Sequence, residues 1–127
     1  MDLRETELYL ERTFNRGRKE ISGRGPLSTK VRIVDDVIFV KMKMEYSGLS
    51  LRLFRFVSEC KQEDQYYDSV RDDSRVIAAK ILSTICDLQI LAMHFKIDID
   101  NRFSFTTIIL DGDLENLIVN GKVMKPD

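Results

Sequence analysis

The sequence has few of the residues that usually indicate a catalytic or metal-binding site. Its 127 residues include two cysteines, two prolines and one histidine. Twenty Lys and Arg residues stand against 21 Asp and Glu residues, so the formal net charge is −1. A protein that binds nucleic acid over its whole surface needs a basic excess, so this composition does not favour nucleic acid as a partner.

Long apolar runs are missing as well. The longest uncharged apolar-rich stretch, Phe103 to Leu110, is far shorter than the ~20 residues that a membrane span needs. The charged start of the chain leads into no apolar segment, so we expect no secretory signal. Apolar residues make up 43% and charged residues 32%. These values are typical of one globular domain that folds without a disulfide or a metal.

The two cysteines, Cys60 and Cys86, lie far apart and outside any C-x-x-C pair. A secreted disulfide framework is therefore not indicated, and we expect a reduced, cytoplasmic setting. Both cysteines fall at apolar positions of predicted helices. There a free cysteine usually packs as a small hydrophobe rather than acting in redox or nucleophilic chemistry.

Three segments have the apolar spacing of helices. The first runs from Thr6 to about Ile21 and must stop at Gly23-Arg24-Gly25-Pro26, because glycine permits left-handed backbone and proline cannot continue a helix. The second begins at Leu49 and reaches Cys60. The third, from Ser69 to Leu88, has the clearest core-facing stripe. Residues 61–67 between the last two are a loop or a helix joint.

Four segments alternate with the period of two that strands require. They are residues 30–35, 37–44, 91–99 and 103–110. Asp35-Asp36 and Asp100-Asn101 separate the strands of each pair as hairpin turns. The predicted fold is an α+β two-layer sandwich in the order α-β-β-α-α-β-β, with a four-stranded, mainly antiparallel sheet and helices on one face. We expect one domain over residues 1–115 and a C-terminal tail over 116–127.

The segment Gly23-Arg24-Gly25-Pro26 is the strongest candidate for a contact with another molecule. It leads into a strand and contains a proline without an amide hydrogen, so it does not fit a phosphate-binding loop. Two interpretations stay open. In one, Gly23 and Gly25 only let the chain reverse; in the other, Arg24 offers its guanidinium to a carboxylate or phosphate of a partner.

Other polar residues are candidates for catalysis or metal binding, but their positions favour structural roles. His94 lies on the polar face of a predicted strand with no serine or cysteine placed beside it, which favours a hydrogen-bonded or solvated histidine over a ligand or proton-linked group. Asp98 and Asp100 lie at the opposite end of their hairpin from Asp111 and Asp113. These aspartates, like Asp35-Asp36, are therefore expected as turn and cap residues, not metal ligands. We predict no catalytic residue, metal or cofactor.

Basic residues are frequent near the start of the chain, and aromatic Tyr9 and Phe14 lie among them. The basic residues are Arg12, Arg16, Arg18, Lys19, Arg24 and Lys30. A solvated helix face is the ordinary interpretation, and an RNA-binding patch is the alternative. Tyr66-Tyr67 and Phe54 either close the core or form a dimer surface. Because a small sheet has edges that need cover, we expect a homodimer.

The chain resembles the MpsC-like family of small bacterial proteins. The resemblance rests on Gly23-Arg24-Gly25-Pro26 after the first helix, on the hairpin from Val31 to Val40, and on His94 followed by Asp98 to Asp100. It closes on 110–115, Leu-Asp-Gly-Asp-Leu-Glu. Gly112 stands where the family more often has an arginine. The family is named after the soluble component of a sodium-translocating system that generates membrane potential.

That resemblance implies a non-enzymatic cytoplasmic protein, peripheral at the inner face of the membrane. It would act as an accessory or regulatory partner of the subunits of a cation or inorganic-carbon transporter. The alternative from the residues is an RNA- or nucleotide-binding module that uses the Arg-rich first segment. An enzyme built around His94 is the third hypothesis.

Overall fold

In the computed structural model, which describes residues 1–45, 48–61 and 63–126, eight elements alternate between helices and strand pairs. They are α1 (Leu3–Ser22), β1 (Ser28–Val34), β2 (Val37–Lys43), α2 (Gly48–Glu59), α3 (Glu63–Ser83), β3 (Ile90–Asp98), β4 (Phe103–Leu110) and α4 (Leu114–Val119). The predicted α+β class and element order are confirmed, and a fourth helix follows the last strand. The part predicted as a loop or joint belongs mostly to α3.

The sheet has the order β1-β2-β4-β3, and every neighbouring pair is antiparallel. Val34 pairs with Val37, so Asp35-Asp36 form the predicted two-residue turn. Asp35 has a φ of 54°, the left-handed backbone that a tight hairpin requires and that aspartate tolerates. The second hairpin pairs Asp98 with Phe103 around the other predicted turn.

The core lies between one face of the sheet and the helices. Val31 and Ile33 of β1 and Ile38 and Val40 of β2 share that inner face and are buried. Ile108 of β4 continues it. Helix residues complete the core, among them Leu10, Phe14, Ala78, Leu82 and Leu114. Burial of this continuous apolar layer is the main contribution to stability.

Helix α1 closes the outer edge of β1 with two carboxylates. The backbone N–H of Ile33 donates to Glu7 Oε2 at 3.0 Å, and that of Val31 donates to Glu11 Oε1 at 3.0 Å. Glu7 is only 6% exposed. Arg4 lies 3.5 Å from the carboxylate of Glu7 and stabilises it. With these two N–H groups occupied, the edge of β1 is disfavoured for pairing with another strand.

Two glycines fit α1 to its surroundings. Gly23 has a φ of 75°, and its N–H donates to the carbonyl of Lys19 at 2.8 Å, which ends the helix. Gly17 lies against α3, where an added Cβ would come within 2.7 Å of Ile77 Cγ2. The glycine therefore lets the two helices approach closely.

One residue of β3 departs from the period-two alternation of its strand. Leu91 shares the alternation of Met93 and Ile97, which are buried, yet it is exposed. A register shift between Ile90 and Ala92, where β3 pairs with β4, turns Leu91 away from the core. An extra residue of this kind breaks the alternation that the sequence pattern assumes.

The domain also continues past residue 115, where the sequence indicated a tail. Asp113 caps α4 by accepting the N–H of Asn116 at 2.9 Å. Ile118 and Val123 are buried in the core, and the N–H of Met124 donates to the carbonyl of Ile85. Gly121, with a φ of 70°, therefore marks a turn within a packed segment rather than an unpacked tail.

The edge carboxylate gives a stability prediction. Glu7→Ala leaves the buried N–H of Ile33 without an acceptor, and we expect it to lower the free energy of unfolding by about 2 kcal/mol. Glu7→Gln keeps a carbonyl acceptor and should lose less. The measurement is urea denaturation followed by circular dichroism.

The matched control is Glu5→Ala, since Glu5 lies on the exposed side of the same helix. It should change stability by less than about 0.5 kcal/mol. Equal losses for Glu5→Ala and Glu7→Ala would show that the edge contact adds nothing beyond helix propensity.

Candidate functional site

The face of the sheet that points away from the helices is rich in lysine and phenylalanine. The strand register defines four cross-strand rows on it, each running from β1 through β2 and β4 to β3. They are Ser28-Lys43-Phe103-Asp98, Lys30-Lys41-Phe105-Lys96, Arg32-Phe39-Thr107-His94 and Val34-Val37-Ile109-Ala92. These residues form the open sheet face.

Charge on the open sheet face is almost all positive. Its cations are Lys30, Lys41, Lys43, Lys96 and Arg32, and its one carboxylate is Asp98. Arg32 lies 3.7 Å from Glu11, whereas no ion pair within the described residues engages the four lysines. The whole chain has a net charge of −1, so the rest of the protein is acidic. Such a separation creates a local positive potential that attracts polyanions.

Aromatic rings lie among these lysines. Phe39 is 46% exposed and Phe105 is 45% exposed, which is high for side chains of this size. The rings of Phe103 and Phe105 pack edge to face, with centroids 4.9 Å apart. The Lys41 ammonium lies 4.9 Å from the Phe103 centroid and 5.9 Å from that of Phe105. Ring surface and positive charge are therefore presented together.

A hollow of about 340 Å³ lies at one end of the open sheet face. It is lined by Ser28, Lys30, Lys41, Lys43, Asn101 and Phe103. Three ammonium groups around one depression suit an anionic group such as a phosphate. The apolar cavity of about 50 Å³ beneath α1 and α3 is far smaller than the ~300 Å³ at which ligand pockets begin.

Asp98 closes this end of the face and is held by the adjoining turn. Its Oδ2 accepts from the Asn101 side chain at 3.0 Å, and its Oδ1 accepts the Asn101 N–H at 3.1 Å. These two hydrogen bonds keep the pKa of Asp98 below its ordinary value of 3.8, and the bond from the Asn101 side chain has the larger effect. The carboxylate is thus ionised as a turn residue, as the sequence predicted.

The residues predicted as a contact site separate into two places. Gly23, Arg24 and Gly25 lie in the link between α1 and β1, and Arg24 is exposed there. An added Cβ at Gly25 would come within 3.0 Å of Asn15 Oδ1, so this glycine allows a close approach. His94 is on the open sheet face, opposite Thr107. The structure therefore joins His94 to the lysines and phenylalanines rather than to the glycine segment.

The aspartates are arranged as the sequence predicted. Asp98 and Asp111 lie at opposite ends of the β3–β4 pair. Asp35, Asp36 and Asp113 share a hollow with Asp111. Asp111 accepts the N–H of Gln89 at 2.9 Å, while Asp113 caps α4. Within the described residues, no group of three or more His, Cys, Asp or Glu side chains could hold a metal ion.

The two cysteines differ in environment. Cys86 is buried, and burial raises the pKa of its thiol, so it packs as the small hydrophobe that the sequence predicted. Cys60 is exposed just after α2, because the apolar stripe to which it belongs faces away from the core. The side chains of Tyr66 and Tyr67, predicted for a dimer surface, lie outside what the structure describes.

No family model, curated protein or solved structure matches this chain. The resemblance to the MpsC-like family therefore stays a prediction from sequence. None of the helices described is both long and apolar enough to cross a membrane.

Sequence reasoning found the strands of the open sheet face but not the face itself. In β4 the alternation separates Phe103, Phe105 and Thr107 from Ser104 and Thr106, but it does not show which side faces the core. The available signal was the alternation of Phe39 with Lys41 and Lys43 in β2. Pairing that side with Phe103 and Phe105 reveals a mixed basic and aromatic surface.

The turn at Asp98 gives a pH prediction. Asn101→Ala removes the side-chain hydrogen bond to the Asp98 carboxylate, which is the first cause of its low pKa, and should raise that pKa toward 3.8. Because folding lowers this pKa, the stabilisation that it provides exists above the unfolded value and is lost as the pH falls through the folded value. Carboxyl carbon chemical shifts followed by NMR across the acidic range measure it directly.

Asn120→Ala, at the end of α4, is the control and should leave the Asp98 titration unchanged. A wild-type Asp98 that titrates at its ordinary value, or an Asn101→Ala variant with no upward shift, would contradict this account of the turn.

Proposed function

We propose that this protein binds single-stranded nucleic acid on the open sheet face. The observation that carries the proposal is the central pair of rows, Lys30-Lys41-Phe105-Lys96 and Arg32-Phe39-Thr107-His94, in which cations surround exposed rings. A nucleic-acid strand has phosphates that such cations can bind and bases that such rings can stack on.

Electrostatic attraction supports the binding of phosphates by this face. Lys30, Lys41 and Lys96 belong to one row across the sheet, and Lys43 adds a fourth ammonium group. Neighbouring strands are ~5 Å apart, so adjacent charges lie within a Debye length of one another. Displacement of counterions by several lysines gives affinity that is independent of sequence and falls with salt.

The exposed aromatic rings support the binding of bases by stacking. Phe39 and Phe105 are each nearly half exposed, and Phe103 packs at the edge of Phe105. In RNA-binding domains with a four-stranded sheet, exposed aromatic residues stack about two or three bases. The comparison concerns the surface chemistry, because a shared layer architecture by itself does not imply function.

The same geometry favours a single strand over a duplex. Paired bases are stacked on each other and show a protein only their edges and backbone, whereas an unpaired base offers a free π-face. The open sheet face is broad and carries rings, and the described helices that contact the sheet pack on its opposite side.

The other functions derived from the sequence have less to support them. The basic residues of α1 include Arg12 and Arg16, and the Tyr9 hydroxyl near them is hydrogen-bonded to Thr84 at 2.8 Å. That helix lacks the exposed rings that accompany the lysines of the sheet. The accessory role at a membrane transporter rests on the family resemblance alone.

Binding of fluorescein-labelled oligonucleotides, measured by anisotropy, tests the proposal. The probes are a single-stranded RNA, the single-stranded DNA of the same sequence, and the matching duplex. Phe105→Leu keeps an apolar side chain but removes the ring, and we expect it to weaken single-strand binding about five- to 150-fold. RNA bound more tightly than DNA would add contacts to the 2′-hydroxyl.

Lys43→Gln should also weaken binding and reduce the slope of log affinity against log salt by about 0.7. Lys80→Gln, at an exposed lysine of α3, is its control and should leave both values unchanged. Tightest binding to the duplex, no effect of Phe105→Leu, or equal losses for the two lysine variants would each overturn the proposal.

A further inference from the structure

Helix α2 carries a second surface, unrelated to the open sheet face. Leu49, Leu53 and Phe56 are 68%, 57% and 62% exposed. They are spaced by four and three residues, and exposed Cys60 follows after four more. We call these four residues the α2 stripe. Leu51 lies on the other side of the helix and is half-buried.

The spacing of the α2 stripe is that of a coiled-coil seam. Apolar residues separated alternately by four and three positions fall on one line along a helix and interlock with the same line on a second helix. In a core-facing helix, such a line of apolar residues packs against the core of the same domain. Here the line faces solvent, so it is available to a partner helix.

Charges beside the α2 stripe identify the partner. Arg52 and Glu59 are seven residues apart, two turns along the helix, so they flank the stripe on the same side. No ion pair within the described residues engages either of them. Next to the stripe, the flank therefore bears a cation near one end and a carboxylate near the other, while Arg55 lies between them and farther round the helix from the stripe. When one helix is reversed, Arg52 of each copy comes opposite Glu59 of the other.

We propose that two copies of this chain associate through antiparallel α2 helices. In that arrangement Leu53 of one copy packs on Phe56 of the other, and Leu49 packs on Cys60. Arg52 then meets Glu59 of the second copy, and the two-fold symmetry makes the same pair again. A parallel arrangement would place like charges at the same height and lose both ion pairs.

The size of the contact sets the expected affinity. A pair of 12-residue helices has an interface near or below the ~1,200 Å² at which stable complexes begin. We therefore expect a dimer that forms in the micromolar range and dissociates on dilution. This inference does not rest on nucleic-acid binding, because its evidence and its measurement are separate.

Sedimentation velocity of the full chain over a micromolar concentration series tests the proposal. Arg52→Glu places two carboxylates together and Glu59→Arg places two guanidinium groups together, so each should weaken the dimer by about tenfold. The double variant Arg52→Glu/Glu59→Arg restores opposite charges in the reversed sense and should recover the wild-type dissociation constant.

Lys80→Glu is the matched control, since it makes the same change from a cation to a carboxylate at an exposed position of α3 and should leave the dimer intact. Leu53→Asp should give a monomer at every concentration, with an unchanged circular dichroism spectrum because Leu53 is exposed. Failure of the double variant to recover association would overturn the antiparallel pairing.

Wild-type protein that stays monomeric throughout the series would also overturn the proposal. Co-sedimentation of that monomer with anionic phospholipid vesicles, lost in Leu53→Asp, would assign the α2 stripe to a lipid surface instead.

Discussion

The contact between α1 and the edge of β1 is the constraint on which the arrangement of the molecule depends. Glu7 and Glu11 are one helical turn apart, and they accept the N–H groups of Ile33 and Val31, which are two residues apart on the strand. Both spacings must match for the two hydrogen bonds to form together. The match fixes the height and rotation of α1 against the sheet and seals an edge that would otherwise attract another strand.

The position of α1 on one face of the sheet determines that the opposite face is exposed to solvent. Leu10 and Phe14 of α1 join Val31 and Ile33 in one buried cluster, so this side of the sheet becomes the core and its opposite remains in water. The alternation of β2 then places Phe39 and Lys41 outward, and the register carries Thr107 and Phe105 outward beside them. The mixed basic and aromatic face thus follows from which side the helix covers.

Local patterns in the sequence were enough for the four strands, for α1, α2 and α3, for their order and for the hairpin turns. They were not enough where a tertiary contact decides the outcome. In β4, hydrophobicity favours burying Phe105 over Ser104, yet the register with β2 buries Ser104. The bulge that exposes Leu91 adds a residue which no periodicity reveals. The apolar run from Leu117 to Val119 is too short for a periodicity to show which side chains are buried, and the core site that receives Ile118 and Val123 decides it.

Net charge has a similar limit, because it is a sum over a surface that the fold divides. A formal charge of −1 argues against a polyanion partner only if both signs are mixed evenly over the protein. Here Lys30 and Lys41 stand side by side on the sheet, while Asp68 and Asp72 lie on α3 with Arg71 between them. Within a Debye length of ~10 Å a ligand responds to the nearest group of charges, so the relevant quantity is the charge of a face. That quantity requires the strand register, which the composition does not contain.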